Sequence, residues 1–438
     1  MKNCHRIKIF YLIVFSVFSS SYSQEVLTIE NAIKIALENN FEIKIASNNY
    51  NIAKTNSTIG NAGMLPTLTA SVAANNRVQN STLTLQNGVV NALDNALNNS
   101  LNYGVSLDWT IFNGFKMFTR LEQLKELEKL GSTQLQQTII SKLSEVSSTY
   151  FNLVQQQQQL KALDSTLVIS NQRLALAQNR FAIGKASKLE VLNAQVDLNT
   201  DNVVLLKQQE VFQNTKTLLN KILARDLQTQ FNVIEKIKVD ENLKLTELSD
   251  LVEKQNPQLV SLLLSKNVAE LQLKQIKGDR YPVITLSSGY VFSETQASLG
   301  FAAATSARGF NYGFNAALNL FNGWNQNRNE KIAKIMLDNS KLTLNSQRLE
   351  LQAQLNAAYQ TYLTNNQLVV IENKNEIYAK QNLDITLDKF KIGTITTLEF
   401  RTAQLNYVNA KVRNSNAQFQ AKLSEIVLKE LAGIINLD

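Results

Sequence analysis

Residues 181–190 read FAIGKASKLE and residues 390–399 read FKIGTITTLE, an offset of 209 positions. The same offset relates Tyr103-Gly104 to Tyr312-Gly313, Phe112-Asn113-Gly114 to Phe321-Asn322-Gly323, and Ala194-Gln195 to Ala403-Gln404. Nearer the N-terminus the offset is 216. It relates Asn40-Phe41 to Asn256-Pro257, and Pro66 in MLPTLTASVA to Pro282 in RYPVITLSSG. One seven-residue difference between positions 66 and 103 reconciles the two registrations. The chain therefore holds two copies of one unit, about 28–226 and 247–433, and its fold must use one element order twice. The organisation expected is a first repeat over 24–226, a linker over 227–246 and a second repeat over 247–438.

Each copy runs through long elements, because 15 Gly and 3 Pro in 438 residues allow few chain reversals. From Phe115 to Arg180 there is no Pro and one Gly, Gly131, while apolar residues stand at 139, 143, 146, 150, 153, 160, 163 and 167. Steps of three, four and seven make a heptad-like seam on a helix of about 66 residues, about 100 Å long. The second copy repeats it over 324–389. Shorter helices are expected over 188–225 and 397–432, and others before each Pro, over 40–63 and 257–279. One long helix can thus lie beside two shorter ones stacked end to end.

The turn between long and short helix has its own chemistry. Gly184 and Gly393 suit the positive φ that ends a helix. Ser187 and Thr396 are placed to cap the next one, with Glu190 and Glu399 three residues on in the capping-box position. The two hairpin tips are Ile183, Gly184, Lys185, Ala186 and Ser187 in the first copy, and Ile392, Gly393, Thr394, Ile395 and Thr396 in the second.

Between the helices the hydrophobic period changes from helical to alternating. Leu101, Tyr103, Val105, Leu107, Trp109 and Ile111 oppose Asn102, Gly104, Ser106, Asp108 and Thr110, and Phe310, Tyr312, Phe314, Leu318 and Leu320 oppose Asn311, Gly313, Asn315 and Asn319. In 283–292, Ile284, Leu286, Tyr290 and Phe292 share one face. Strands are expected at about 67–75, 101–112, 283–292 and 310–321, with 76–100 and 293–309 as outer loops. Strands of nine to eleven residues cross a bilayer when tilted; the same pattern also fits a half-buried hairpin of a soluble sheet. Two features favour the membrane. The polar faces, with Asn102, Ser106, Asp108, Asn311, Asn315 and Asn319 as the pore-facing candidates, suit a wet lumen. Trp109, Phe112, Phe115, Phe321 and Trp324 cluster at the strand ends as an interfacial aromatic belt does.

Lys2, Arg6 and Lys8, the apolar run Ile9 to Phe18 and Ser21-Tyr22-Ser23 read as a secretory signal peptide over 1–23. The alternative, a short membrane anchor, is weaker, since ten apolar residues span about half of the hydrocarbon core. Cys4 precedes the apolar run, so lipidation is not expected. Removal of 1–23 takes away the only Cys and the only His, Cys4 and His5. That excludes Ser/His/Asp triads, Cys/His pairs and zinc sites. Carboxylate or Lys/Tyr chemistry remains, a carboxylate hydrolase being the weakest reading. No catalytic residue, cofactor or metal site is expected. Export of metal ions is disfavoured too, with only Met64, Met117 and Met336 left as soft ligands. Basic and acidic residues alternate throughout, so no nucleic-acid patch is present. Asn (51) and Gln (35) together outnumber the 80 charged residues. At 44% apolar the chain is too apolar for disorder, and too uniformly polar for one large dry core.

Taken in order, the signal, the duplication, the strand pairs after LP and YP, the FNG strand exits and the hairpins RFAIGKASKLEVLNAQ and KFKIGTITTLEFRTAQ resemble the TolC family of outer-membrane efflux channels. Four strands cannot close a membrane barrel, whose smallest known form has eight, so the chain must oligomerise. The resemblance supplies the number three. It implies a mainly α fold with a transmembrane β portion, a homotrimer forming a 12-stranded β-barrel continued by a periplasmic α-helical barrel. It further implies tips that dock a periplasmic adaptor (membrane fusion protein), and an inner-membrane pump, proton-driven or ATP-driven, as the energy source. Segment 227–246 corresponds to an equatorial collar, where this sequence is uninformative. Acidic residues after the second tip line the entrance in that family. By position the first is Glu399, with Glu190 its counterpart in the first copy, and the second is replaced by Thr402. The implied function is the outer-membrane duct of a tripartite system exporting small molecules, with no catalysis of its own. The alternatives are the outer component of a type I protein or peptide secretion system and, in another class, a periplasmic coiled-coil scaffold without a pore.

Overall fold

The computed structural model describes residues 25–434 apart from Glu235 and Phe301, so the expected signal peptide lies outside the described residues. In chain order the elements are β1 (Glu25–Leu27), α1 (Ile29–Asn39), α2 (Phe41–Asn56), β2 (Thr67–Thr84), β3 (Val90–Asn113), α3 (Lys116–Ala182) and α4 (Lys188–Ile222). They are followed by β4 (Phe231–Val233), α5 (Leu245–Gln255), α6 (Pro257–Gly278), β5 (Val283–Ala297), β6 (Ala304–Ala317), α7 (Asn325–Ile392) and α8 (Thr397–Leu431). Two compact units form. One contains the residues up to 45 with 136–256 and those from 350 onward, and the other contains 46–135 with 257–349. No described helix is long and apolar enough to cross a membrane.

The second unit carries a four-stranded antiparallel sheet in the order β2-β3-β5-β6. The inner strands of the two repeats pair with each other, leaving β2 and β6 as edges. Register sets the faces, because residues opposite one another point the same way and neighbours along a strand alternate. Leu68 and Val72 face Leu107 and Tyr103, Tyr103 faces Phe292, and Leu286 and Tyr290 face Phe314 and Phe310. The Tyr103 and Phe292 rings stack at 4.8 Å. One apolar face thus runs across all four strands.

The strands differ from the sequence reading in four places. Segment 76–100 is not a loop: β2 continues to Thr84 and β3 begins at Val90. The hairpin closes where Gly88 takes φ +87° and Leu85 donates its amide to the Val89 carbonyl at 2.8 Å. Polar residues on both faces hide the alternation there, but a ladder needs only paired backbone, and Asn87-Gly88 was the turn signal. Segment 293–309 is shortened in the same way, with β5 reaching Ala297 and β6 starting at Ala304. At its other end β6 stops at Ala317, not 321, since its last partner is Val283 and Pro282 before it has no amide to donate. A register shift between Thr110 and Phe112 makes Ile111 a bulge and places Phe112, not Ile111, opposite a residue of the apolar face, Ile284.

The two strand exits repeat one geometry. Gly114 and Phe115 have φ +70° and +63°, and Gly323 and Trp324 have +64° and +65°. Asn113 Oδ1 accepts the Met117 amide at 3.0 Å and Asn322 Oδ1 accepts the Gln326 amide at 3.2 Å, capping α3 and α7. A Cβ on Gly114 would lie 2.1 Å from the Gly278 carbonyl oxygen, so no other residue fits. Phe115 packs edge-on against Phe112 and Tyr281, at 5.1 and 6.0 Å between ring centroids.

In the first unit, paired Asn residues explain why the short helices stop and restart. Asn40 donates to the Ile222 carbonyl at 2.8 Å, and its side-chain oxygen accepts the Glu42 and Ile43 amides. Its counterpart Asn256 donates to the Leu431 carbonyl at 2.8 Å. Each Asn closes the C-terminus of the last helix of its repeat. The linker is ordered by burial: β4 pairs in parallel with β1, and Phe231 and Val233 enter a core with Leu27, Val146, Tyr150 and Leu219. Beyond it, Asp240 donates its amide to Glu425 at 3.0 Å, and Glu425 lies buried between Lys422 and Lys429, each at 2.9 Å.

Candidate functional site

The helix tips are built by matching turns that differ in one carboxylate. Gly184 (φ +73°) donates to the Phe181 carbonyl and Lys185 to Arg180, at 2.9 and 2.8 Å. Gly393 (φ +79°) and Thr394 do the same to Phe390 and Lys389, at 3.1 and 3.0 Å. Both are Schellman endings that only a left-handed residue permits. Ser187 then accepts the Glu190 amide at 3.3 Å, and Thr396 accepts the Glu399 amide at 3.2 Å. Ile183 and Ile392 are exposed, as are Lys185 and Thr394, whereas Ala186 and Ile395 are half-buried. Behind the second tip the Phe390 and Phe400 rings, both buried, stack at 4.9 Å.

Glu399 completes a capping box, its carboxylate accepting the Thr396 amide at 2.8 Å. Hydrogen bonds from the Thr396 backbone and side chain hold its pKa below the ordinary carboxylate value. The side chain stays exposed, so box and solvent share it. Glu190 does not close a box with Ser187. Its Oε1 accepts the Thr397 hydroxyl at 2.7 Å, and Arg180 lies 3.9 Å away. Glu190 therefore joins the two tips within one chain. Thr402 is exposed and spends its hydroxyl on the Leu398 carbonyl at 3.0 Å, adding no charge.

A third constellation has no counterpart in the sequence reading. Arg401 grips Asp201 through two bonds of 2.8 Å, from Nη1 to Oδ2 and from Nη2 to Oδ1. Asp201 also accepts the Ser170 hydroxyl at 2.5 Å, and Gln404 donates to Ser170 at 2.9 Å and to the Thr166 carbonyl at 3.2 Å. Arg173, fully buried, pairs with Asp197 beside them. The network locks α3, α4 and α8 together, about one to two turns behind the second tip on α8 and about three to five turns behind the first tip on α3 and α4. Single charges inside heptad runs gave no hint of it; only the packing brings Arg401 to Asp201, 200 positions away.

On the sheet, register brings five of the six pore-facing candidates to one face. Asn102, Ser106 and Asp108 stand opposite Ser293, Gly289 and Ser287, and these last two stand opposite Asn311 and Gly313, with Asn315 opposite Thr285. Asn319 lies past the end of β6 and is not on that face. Gly104 is on it for steric reasons too, since a Cβ there would sit 2.4 Å from the Tyr290 carbonyl oxygen.

A family model described as outer membrane efflux protein matches residues 32–225 and 248–434. These segments agree within a few residues with the two copies read from the internal offsets. The chain belongs to the outer membrane efflux protein family. It is accordingly a protein of the outer membrane. Among curated relatives, TolC of Escherichia coli K12 is 21% identical over 310 residues, which are 69% of this chain and 62% of that protein. The chain thus spans less than two thirds of that relative's length. TolC of Salmonella enteritidis is 21% identical over 375 residues, 76% of this chain and 74% of that one. Solved structures share the fold. A membrane protein from Pseudomonas aeruginosa superposes with TM-score 0.78 at 15% identity, covering 94% of this chain and 91% of its own. The Campylobacter jejuni CmeC outer membrane channel does so with TM-score 0.75 at 18% identity, covering 92% and 85%. Among the described residues no group of His, Cys, Asp or Glu is arranged to hold a metal ion.

Proposed function

We propose that three copies of this chain form the outer-membrane duct of a tripartite export system for small molecules. The β2 edge of one copy pairs with the β6 edge of the next, closing twelve strands into a barrel with its apolar face to lipid and its polar face to water. The helical hairpins continue the duct into the periplasm, the tips around Gly184 and Gly393 dock a periplasmic adaptor, and an inner-membrane pump supplies the energy. The observation that carries this reading is a sheet with one continuous apolar face, one continuous polar face and two unpaired edges. Such a sheet has no stable place in a monomer, in water or in lipid.

Susceptibility of a deletion strain to a panel of toxic small molecules tests the role. The strain should become sensitive, and a plasmid copy should restore resistance. A copy with Ala186→Trp and Ile395→Trp should fail to restore it while still reaching the outer membrane as an oligomer. Unchanged susceptibility, with loss of a protein from the culture medium instead, would assign the duct to protein secretion.

A further inference from the structure

The polar face of the sheet is almost free of charge, and its two exceptions stand at opposite ends. Pairing of Thr67 with Asp108, Ser71 with Gly104 and Arg77 with Asn98 puts Asp108 and Arg77 on the same face as Asn102 and Ser106. Followed through β5 and β6, and through β2 and β3 as far as the register shift after Gln79, every other residue on that face is Ser, Thr, Asn, Gln, Gly, Ala or Val; past the shift Leu83 and Leu93 join it. Asp108 lies level with Leu107 and Trp109, where the apolar face begins near the helices. Arg77 lies level with Asn98, beyond Leu101, where that face gives way to Glu294, Asn99 and Asn76. Both side chains are exposed.

Resting on the duct proposed above, we infer that Asp108 and Arg77 determine the charge selectivity of its β-barrel. In the assembly each residue becomes a ring of like charge, negative at the periplasmic mouth of the barrel and positive at the outer mouth. Ten residues of β3 separate their levels, about 33 Å along the strand and about 25 Å along the axis of a barrel tilted by about 40°. The Debye length at physiological salt is about 8 Å, so neither ring cancels the other and each acts on the solution at its own mouth. The wall between them carries no fixed charge. Cationic solutes are therefore concentrated where the helical duct meets the barrel and anionic ones at the outer mouth, and neutral solutes meet no barrier of charge in between.

Single-channel reversal potentials in planar bilayers, with a KCl gradient set in each direction, test the inference. With the dilute bath on the helical side the wild type should prefer cations, and with the dilute bath on the other side that preference should fall or invert. Asp108→Asn should lose the first preference and keep the second, although Glu399 at the tips is intact. Arg77→Gln should do the reverse. Salt near 1 M, where the Debye length is about 3 Å, should abolish both. The inference is overturned if the wild type gives equal reversal potentials for both gradient directions, or if both variants match the wild type at low salt. A wild type that forms no conducting pore overturns the duct itself.

Discussion

Thr397 donates its hydroxyl to Glu190 at 2.7 Å across 207 positions of sequence. The bond ties the first turn of α8 to the first turn of α4, so the two duplicated tips form one surface and not two independent points. Duplication made the tips alike in sequence; the divergence of one position, Lys188 in the first copy and Thr397 in the second, made them complementary. A charge-assisted bond of this kind contributes about 1–2 kcal/mol where partly shielded. Thr397→Val and Glu190→Ala should each raise amide hydrogen exchange at both tips. The double variant should exchange little faster than either single one, and additive effects would mean the bond carries no coupling.

The Glu399 box gives the second tip a pH dependence. Its carboxylate pKa is lowered by the Thr396 hydrogen bonds, so the folded tip favours the ionised form. The stabilisation is complete above the ordinary carboxylate pKa of about 4.3 and is lost as the pH falls through the lower folded value. Protection factors at residues 396–400, with the intrinsic pH dependence of amide exchange divided out, should therefore fall in acid, and in Glu399→Gln they should not change with pH there. A charge ring at a closed entrance acts in the opposite direction, because mutual repulsion raises carboxylate pKa values. A midpoint for Glu399 above about 4.3 in the assembled protein would show the ring prevailing over the cap.

The Arg401–Asp201 pair is buried with both bonds satisfied, so removing one partner strands a charge. Arg401→Met or Asp201→Leu alone should destabilise the protein by about 3–5 kcal/mol, and the two together by much less. Thermal dissociation of the purified oligomer measures both. An additive double variant would mean that the two residues do not depend on each other.

Leu107 and Ser106 are neighbours on β3 with opposite surroundings. Arg at Leu107 faces the apolar side, and near a bilayer midplane should cost about 2–4 kcal/mol, lowering the amount of assembled protein. Arg at Ser106 should assemble normally and alter conductance. Phe314 and Asn315 on β6 should divide in the same way, and equal assembly of all four variants would contradict the assignment of the faces.

The sequence disclosed whatever depends on period or on repetition. The offsets defined the copies, the Gly and capping residues placed the tips, and alternation marked part of β3, β5 and β6 and, more weakly, of β2. What depends on partners far along the chain stayed hidden. The outer halves of β2 and β3 lack alternation because neither face there is uniformly apolar, yet backbone pairing continues to the Asn87-Gly88 turn. The bulge at Ile111 puts Phe112 on the apolar face in place of Ile111, a change that alternation alone cannot register. Asn319 continued the period of β6 but lies beyond its last paired residue, Ala317. Asn40 and Asn256 were visible as a repeated pair, while their role emerged only from the helix ends they meet, Ile222 and Leu431. The order of the linker rests on the burial of Phe231 and Val233, two apolar residues in a mixed segment.

Pairing of β2 with β6 between copies is the step on which the whole account depends, and disulfide trapping measures it most directly. The only Cys in the chain, Cys4, falls within the expected signal peptide, so introduced pairs meet no background once 1–23 is removed. Cysteines at Leu68, Ala70 or Val72 on one edge, combined with Phe310, Tyr312 or Phe314 on the other, sample the possible registers. The account predicts that at least one combination gives a covalent trimer on denaturing gels of oxidised outer membranes, returning to monomer on reduction. Monomer alone from every combination, or recovery of the protein as a soluble periplasmic species, would contradict it.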